Sequence, residues 1–138
     1  MTGVDVLGLG IALPGTDKPS EAPDSQGEPA PDWFDVAAAL PGRGYRRLPP
    51  ACQYLLAAAG NAVADAGGPL AAIPAERRGV VVGTNNAAAA LIDEQDRAIL
   101  DQDAQEISPL TAPYFAVSLF ASRLAIEHEV REIGRAHV

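Results

Sequence analysis

A chain of 138 residues with 48% hydrophobic but only 5% aromatic content suffices for one domain, built on closely packed alanine-rich helices more than on large aromatic side chains. A net charge of −8 argues against a nucleic-acid module, because phosphate neutralisation needs clustered cations and the basic pairs Arg46-Arg47 and Arg77-Arg78 read as solvated loop charges. The single cysteine, Cys52, excludes an internal disulfide and a thiol metal cluster, and no leader or membrane span of ~20 apolar residues is seen, so a cytoplasmic location is expected.

In chain order, Val4 to Leu13 is apolar and contains β-branched Val4, Val6 and Ile11 before Pro14-Gly15, the pattern of a buried core strand ending in a turn. Thr16 to Pro31 carries four prolines (Pro19, Pro23, Pro29, Pro31) and four acids (Asp17, Glu21, Asp24, Glu28) without apolar periodicity, and is expected to be a mobile loop. Asp32 to Leu40 regains Trp33, Phe34, Val36 and Leu40 and predicts a short helix closed by Pro41-Gly42-Arg43-Gly44.

Ala51 to Ala66 sets Cys52, Leu55, Leu56, Ala59, Val63 and Ala66 on one helical face, with Gln53, Asn61 and Asp65 elsewhere and Gly67-Gly68 as a stop. Arg78 to Thr84 contains Val80-Val81-Val82 between Gly79 and Gly83, which reads as a strand covered on both faces. Strand, helix and strand in this order predict a βαβ unit with a parallel sheet.

Asn85 or Asn86 would cap a further helix to about Ala104, with Leu91, Ile92, Gln95, Ile99 and Leu100 along one side. Ser108-Pro109 and Ala112-Pro113 then break the chain. The pattern resumes from Tyr114 to Val130 through Val117, Phe120, Ala121, Leu124 and Ala125, and Phe115 and Leu119 widen its apolar face.

Chemistry is scarce in these residues. Gly8, Gly10 and Gly15 lack the G-x-G-x-x-G spacing, and a proline-rich loop follows where a dinucleotide site needs a helix. Cys52 lies near a helix start but shares the face of Leu55, Leu56 and Ala59, so packing is expected of it and not nucleophilic attack. His128, among Glu127, Glu129 and Arg131, has the company of a solvated helix end. No catalytic residue, cofactor site or metal site is assigned.

Four segments taken together resemble the opening part of the β-ketoacyl synthases. VDVLGLGIALPG is similar to their first strand. Tyr45-Arg46-Arg47-Leu48 followed by CQYLLAAAGNAVADAG resembles their first core helix. Gly79-Val80-Val81-Val82-Gly83-Thr84 is similar to their second strand, and Ile107-Ser108-Pro109 with Pro113 and AVSLFASRLAIEHEVR resembles the segment leading towards the nucleophile.

The resemblance implies an α/β chain, the incomplete N-terminal half of a thiolase-like fold layered αβαβα, over residues 1–131, with 16–31 as a Pro-rich acidic insertion. It further implies a parent acyltransferase of fatty-acid or polyketide biosynthesis, a homodimer or heterodimer. That parent would take acyl groups from acyl carrier protein thioesters and perform a decarboxylative Claisen condensation with one cysteine and two histidines that this chain lacks. Asn86, Ala87 and Ile107 fall, by that resemblance, where the family borders its acyl pocket, although capping and packing explain the same residue types.

Residues 132–138, Glu132-Ile133-Gly134-Arg135-Ala136-His137-Val138, are the in-frame translation of GAG ATC GGA AGA GCA CAC GTC, a sequencing-library adapter. A non-native tail, and with it an inactive fragment, is expected. Where family members often have glycines after the second strand, Asn85, Asn86 and Ala87 to Ala90 follow Gly83-Thr84 here. This departure keeps open a non-condensing, chain-length-determining partner subunit, and the acidic composition keeps open a small partner-binding domain.

Overall fold

The computed structural model describes residues 3–24, 29–84, 89–101, 109–116 and 118–136. They form four α-helices, α1 (Val36–Ala39), α2 (Pro50–Asp65), α3 (Ala89–Asp101) and α4 (Ser118–Glu127), and two strands, β1 (Gly79–Gly83) and β2 (Glu132–Ala136), with short 3-10 turns between them. The chain divides into two compact units. Residues 1–47 and 53–74 make the first, and 48–52 and 75–138 the second.

In the first unit, α2 is the organising element. Its end follows from the glycine pair: Gly67 and Gly68 adopt φ of 73° and 72°, and the Gly68 N–H returns to the Val63 carbonyl at 2.9 Å. That is a left-handed cap a side chain would strain. Residues 4–13 run along this helix in extended form, but they are not the predicted core strand. No ladder partner is present among the described residues, and Val4, Val6, Leu7 and Leu9 are exposed.

What holds the segment is α2 itself. The Leu9 N–H donates to the Asp65 carboxylate at 3.0 Å, and the Asn61 amide donates to the Ile11 carbonyl at 3.1 Å. Gly8 and Gly10, two residues apart and so on one face of an extended chain, press their bare backbone against Ala58, Ala62 and Ala66, where an added Cβ would fall under 3.0 Å from helix backbone. The Pro14-Gly15 turn is as expected, closed by a bridge from Leu13 to Thr16.

The first part of the acidic loop carries local bonds and a turn. Thr16 Oγ1 accepts the Lys18 N–H at 3.0 Å and donates to Glu21 at 2.9 Å, Lys18 Nζ reaches Glu21 at 3.1 Å, and Pro19–Asp24 winds into a 3-10 turn. The fixed φ of Pro19 and Pro23 suits that turn, so proline here favours local order without apolar burial. Residues 25–28 lie outside the described residues.

The short helix α1 is capped by Asp35, whose carboxylate accepts from the N–H groups of Ala37 and Ala38. Just before it, Trp33 and Phe34 stack against Tyr54 of α2 with ring centroids 4.8 Å apart in each case, an arrangement worth about 0.5–1.5 kcal/mol per pair beyond area burial. Gln53, expected on the polar side of α2, is buried because its amide donates to the Tyr45 carbonyl at 3.0 Å.

The second unit is built on β1, β2 and α4. The strands pair in parallel, with Gly79 opposite Glu132 and Gly83 opposite Ala136, and the connection between them contains α3 and α4, as a parallel ladder requires. The observed parallel pair is therefore β1 with β2, not residues 4–13 with 79–83. Helix α4 packs on both strands.

Phe120, Ala121, Leu124 and Ala125 of α4 are buried as predicted, together with Val82, Leu48 and Cys52. Phe120 is the largest of these, and its burial is worth about 1.5–3 kcal/mol. One expectation fails: β1 is covered on one face only, since Val81 remains 72% exposed.

Helix α3 likewise buries nothing fully. Ile92, Ile99 and Leu100 are exposed, and an Asp93–Arg97 ion pair at 2.7 Å lies on its solvated side. The α/β layering implied by the sequence thus reduces, among the described residues, to one two-stranded sheet with helices.

Where α4 ends, Glu129 takes the left-handed position usually given to glycine, with φ of 51°, and the Val130 N–H closes on the Ala125 carbonyl at 2.8 Å. A side chain there costs about 1 kcal/mol. Glu129→Gly is expected to raise unfolding stability by about 0.5–1 kcal/mol in urea titration, a gain slightly offset by losing a 4.0 Å contact with Arg78. In the first unit, Gly10→Ala is expected to cost about 2–3 kcal/mol by the same measurement, because the intruding methyl meets helix backbone, which cannot move aside as a side chain would.

Candidate functional site

Cys52 and His128 are the one cysteine and the one histidine among the described residues, and the fold assigns neither a nucleophile's or base's work. Cys52 sits in the first turn of α2, where a helix N-terminus would favour a thiolate. Its side chain is nevertheless fully buried. Burial pushes the thiol up to about 11, and the positive charge of Arg123 only partly opposes this. A nucleophilic cysteine needs the opposite shift, so Cys52 is a core residue, as the sequence pattern indicated.

His128 departs from the solvated helix end that its charged neighbours suggested. It is half-buried, and its Nε2 is buried without a hydrogen-bond partner among the described residues. Its carbonyl accepts from Arg78 Nη1 at 3.2 Å, which ties the start of β1 to the end of α4, while Arg131 and Glu76 pair at 3.1 Å nearby in sequence. The role visible for His128 is to help terminate α4. No group of three or more His, Cys, Asp or Glu side chains among the described residues is arranged to hold a metal ion.

Asn86, Ala87 and Ile107, the residues assigned to a substrate pocket, lie outside the described residues. The structure brings other residues together. In the first unit a cleft of about 620 Å³ is lined by Ile11, Leu13, Trp33, Phe34, Asp35 and Asn61 among others. Two of its polar groups are already engaged: Asp35 caps α1 and Asn61 holds the Ile11 carbonyl.

A second depression of about 320 Å³ is lined by Val36, Leu40, Tyr45 and three arginines, Arg43, Arg46 and Arg47. Sequence reading had dismissed the Arg46-Arg47 pair as loop charge. Counting Arg43 with it, against a background of −8, was the signal available. No helix among the described residues is long and apolar enough to cross a membrane.

Alkaline titration reports on Cys52 directly. With its thiol near 11, about one molecule in a thousand carries the thiolate at pH 8, so Ellman's reagent should label it only on unfolding. Because the folded value lies above the unfolded one, the neutral thiol's stabilising contribution is intact below about pH 9 and is lost as pH rises to about 11. Urea titrations should show an alkaline loss of about 2–3 kcal/mol that Cys52→Ala lacks.

Comparison with known families finds one assignment. The family model described as Beta-ketoacyl synthase, N-terminal domain, matches residues 10–133, about nine-tenths of the chain. No curated protein matches the chain.

Proposed function

We propose, since this chain belongs to the β-ketoacyl synthase family as its N-terminal domain, that it forms scaffold of a condensing acyltransferase and does not itself carry the reacting groups. The whole enzyme would take an acyl group from an acyl carrier protein thioester onto a cysteine. It would then lose carbon dioxide from a malonyl unit with the help of two histidines and join the resulting carbanion to the acyl carbonyl, in fatty-acid or polyketide assembly, as a dimer.

The observation that carries this reading is the burial of Cys52 within a chain matched over residues 10–133: the one thiol present is committed to packing. Under this reading Cys52 is not the nucleophile, and Glu132 to Val138 are proposed as a non-native tail. The family's fold is thiolase-like. Strand β1 with α4 packed on it is compatible with part of that layering, whereas β2 falls within the proposed tail and does not bear on it.

A second reading is supported by the segment after β1. Asn85, Asn86 and Ala87 to Ala90 stand where glycines are common in the family, which suits a non-condensing, chain-length-determining subunit whose pocket is reshaped. Asn86, Ala87 and Ile107 are proposed as pocket-lining residues under both readings.

Genomic sequence downstream of Arg131 separates the two. A cysteine at a strand-to-helix turn followed by two histidines is expected for the condensing enzyme. Another residue at the nucleophile position marks the second reading, and a continuation lacking all three, or turnover of malonyl carrier thioester by the 138-residue chain alone, would overturn the proposal. The chain alone is expected to release no carbon dioxide above background in a malonyl decarboxylation assay.

A further inference from the structure

The cleft of the first unit has no part in any role assigned so far. Its lining residues all belong to that unit: the segment from Ile11 to Asp17, the segment from Trp33 to Ala39, and α2. Its volume of about 620 Å³ is that of a small-molecule site.

The walls have two characters. Ile11, Leu13, Trp33 and Phe34 offer apolar surface beside the buried Ala57 of α2. Both rings are half-buried, and each lies 4.8 Å from the ring of Tyr54, so stacking holds them in place.

The charged residues of the lining are Asp17 and Asp35, and no lysine, arginine or histidine joins them among the described residues. Asp35 accepts both of its cap bonds, from Ala37 and Ala38, on Oδ1, which leaves Oδ2 without a partner among the described residues. The Asp17 carboxylate makes no hydrogen bond or ion pair there either. Its neighbour Lys18 is taken by Glu21 at 3.1 Å, and Glu21 is also the main cause that holds the Lys18 ammonium above its ordinary pKa.

Two carboxylates fall short of the group of three or more side chains that would hold a metal ion. An anion would be repelled by both, and a neutral apolar molecule would cover them without pairing them. A cation with an apolar body uses both characters of the wall. Its charge sits by the carboxylates and the aromatic rings, and its body displaces water from the apolar side.

We propose that this cleft binds a small organic ammonium ion with an aromatic or branched aliphatic body. Asp17 and Asp35 supply the counter-charge, and Trp33 and Phe34 supply the contact surface. Both carboxylates are exposed, so they stay hydrated and give preference for positive charge more than tight binding. The assignment does not rest on the condensing reading, and its failure would leave that reading intact.

Trp33 is the single tryptophan of the chain, so its emission reports occupancy directly. The 138-residue chain is titrated with phenethylammonium chloride, with 2-phenylethanol and with 3-phenylpropionate, probes of similar size that differ in charge. A saturable emission change is expected with the ammonium, at least about fivefold tighter than with the alcohol, and the carboxylate is expected to bind weakest. That preference should shrink as ionic strength rises from about 0.05 to about 0.5 M. In D17N/D35N it should fall to within about twofold, and because asparagine also caps helices the variant keeps α1. Asp93→Asn, on α3, should leave it unchanged.

Equal affinity for ammonium and alcohol, no saturable change with the ammonium up to about 20 mM, or undiminished preference in a folded D17N/D35N variant would overturn the proposal. So would Nα-acetyl-lysine methylamide binding as tightly as phenethylammonium, which would give the cleft to a protein's lysine side chain instead of a small molecule. The three titrations of the unaltered chain decide the matter even where a variant fails to fold.

Discussion

The first unit depends on how closely a bare backbone can approach a helix of alanines. Gly8 and Gly10 meet Ala58, Ala62 and Ala66 at a separation that admits no Cβ, and the Asp65 and Asn61 side chains complete the contact by bonding the Leu9 N–H and Ile11 carbonyl. Glycine on one partner and alanine on the other bring main chains together, so polar groups of the extended segment are satisfied by helix side chains in place of a neighbouring strand. Most of the segment's large side chains are left facing outward: Val4, Val6, Leu7 and Leu9 are all more than half exposed.

The second unit uses a different device. There a parallel ladder and one amphipathic helix bury a short list of side chains, Phe120 chief among them, with Cys52 filling space as a small apolar residue. The same burial that makes Cys52 useful in packing removes it from chemistry, because an apolar enclosure disfavours the thiolate. A cysteine at a helix start can therefore still be unsuited to nucleophilic attack. Position relative to a helix end matters less than solvation.

Much of this was legible in sequence, and what was missed shares a cause. The face and stop of α2, the valine strand, the Asp35 region helix and the buried face of α4 follow from periodicity and glycine placement, signals internal to each element. Coverage is misjudged where it depends on a second element: the valine run predicts Val81 inside and residues 4–13 read as a core strand, yet Val81 and most large side chains of 4–13 are exposed, and the apolar side of α3 holds Ile92, Ile99 and Leu100 in solvent. An apolar pattern states that a face can be buried without saying what buries it. Gln53 shows the converse, a polar residue drawn inside by a single carbonyl acceptor on Tyr45 that no periodicity reveals. As for the site, Asn86, Ala87 and Ile107 were reached through resemblance alone and lie outside the described residues, while the arginine turn was visible as composition and was read as solvated charge.

The distribution of charge is uneven. Acids dominate a chain of net charge −8, and the exposed Arg43, Arg46 and Arg47 reverse that field locally. These three arginines lie around a turn held by the Gln53 to Tyr45 bond and share a depression with Val36, Leu40 and Tyr45. Because Gln53 belongs to α2, the helix that supports the extended N-terminal segment also positions the basic turn.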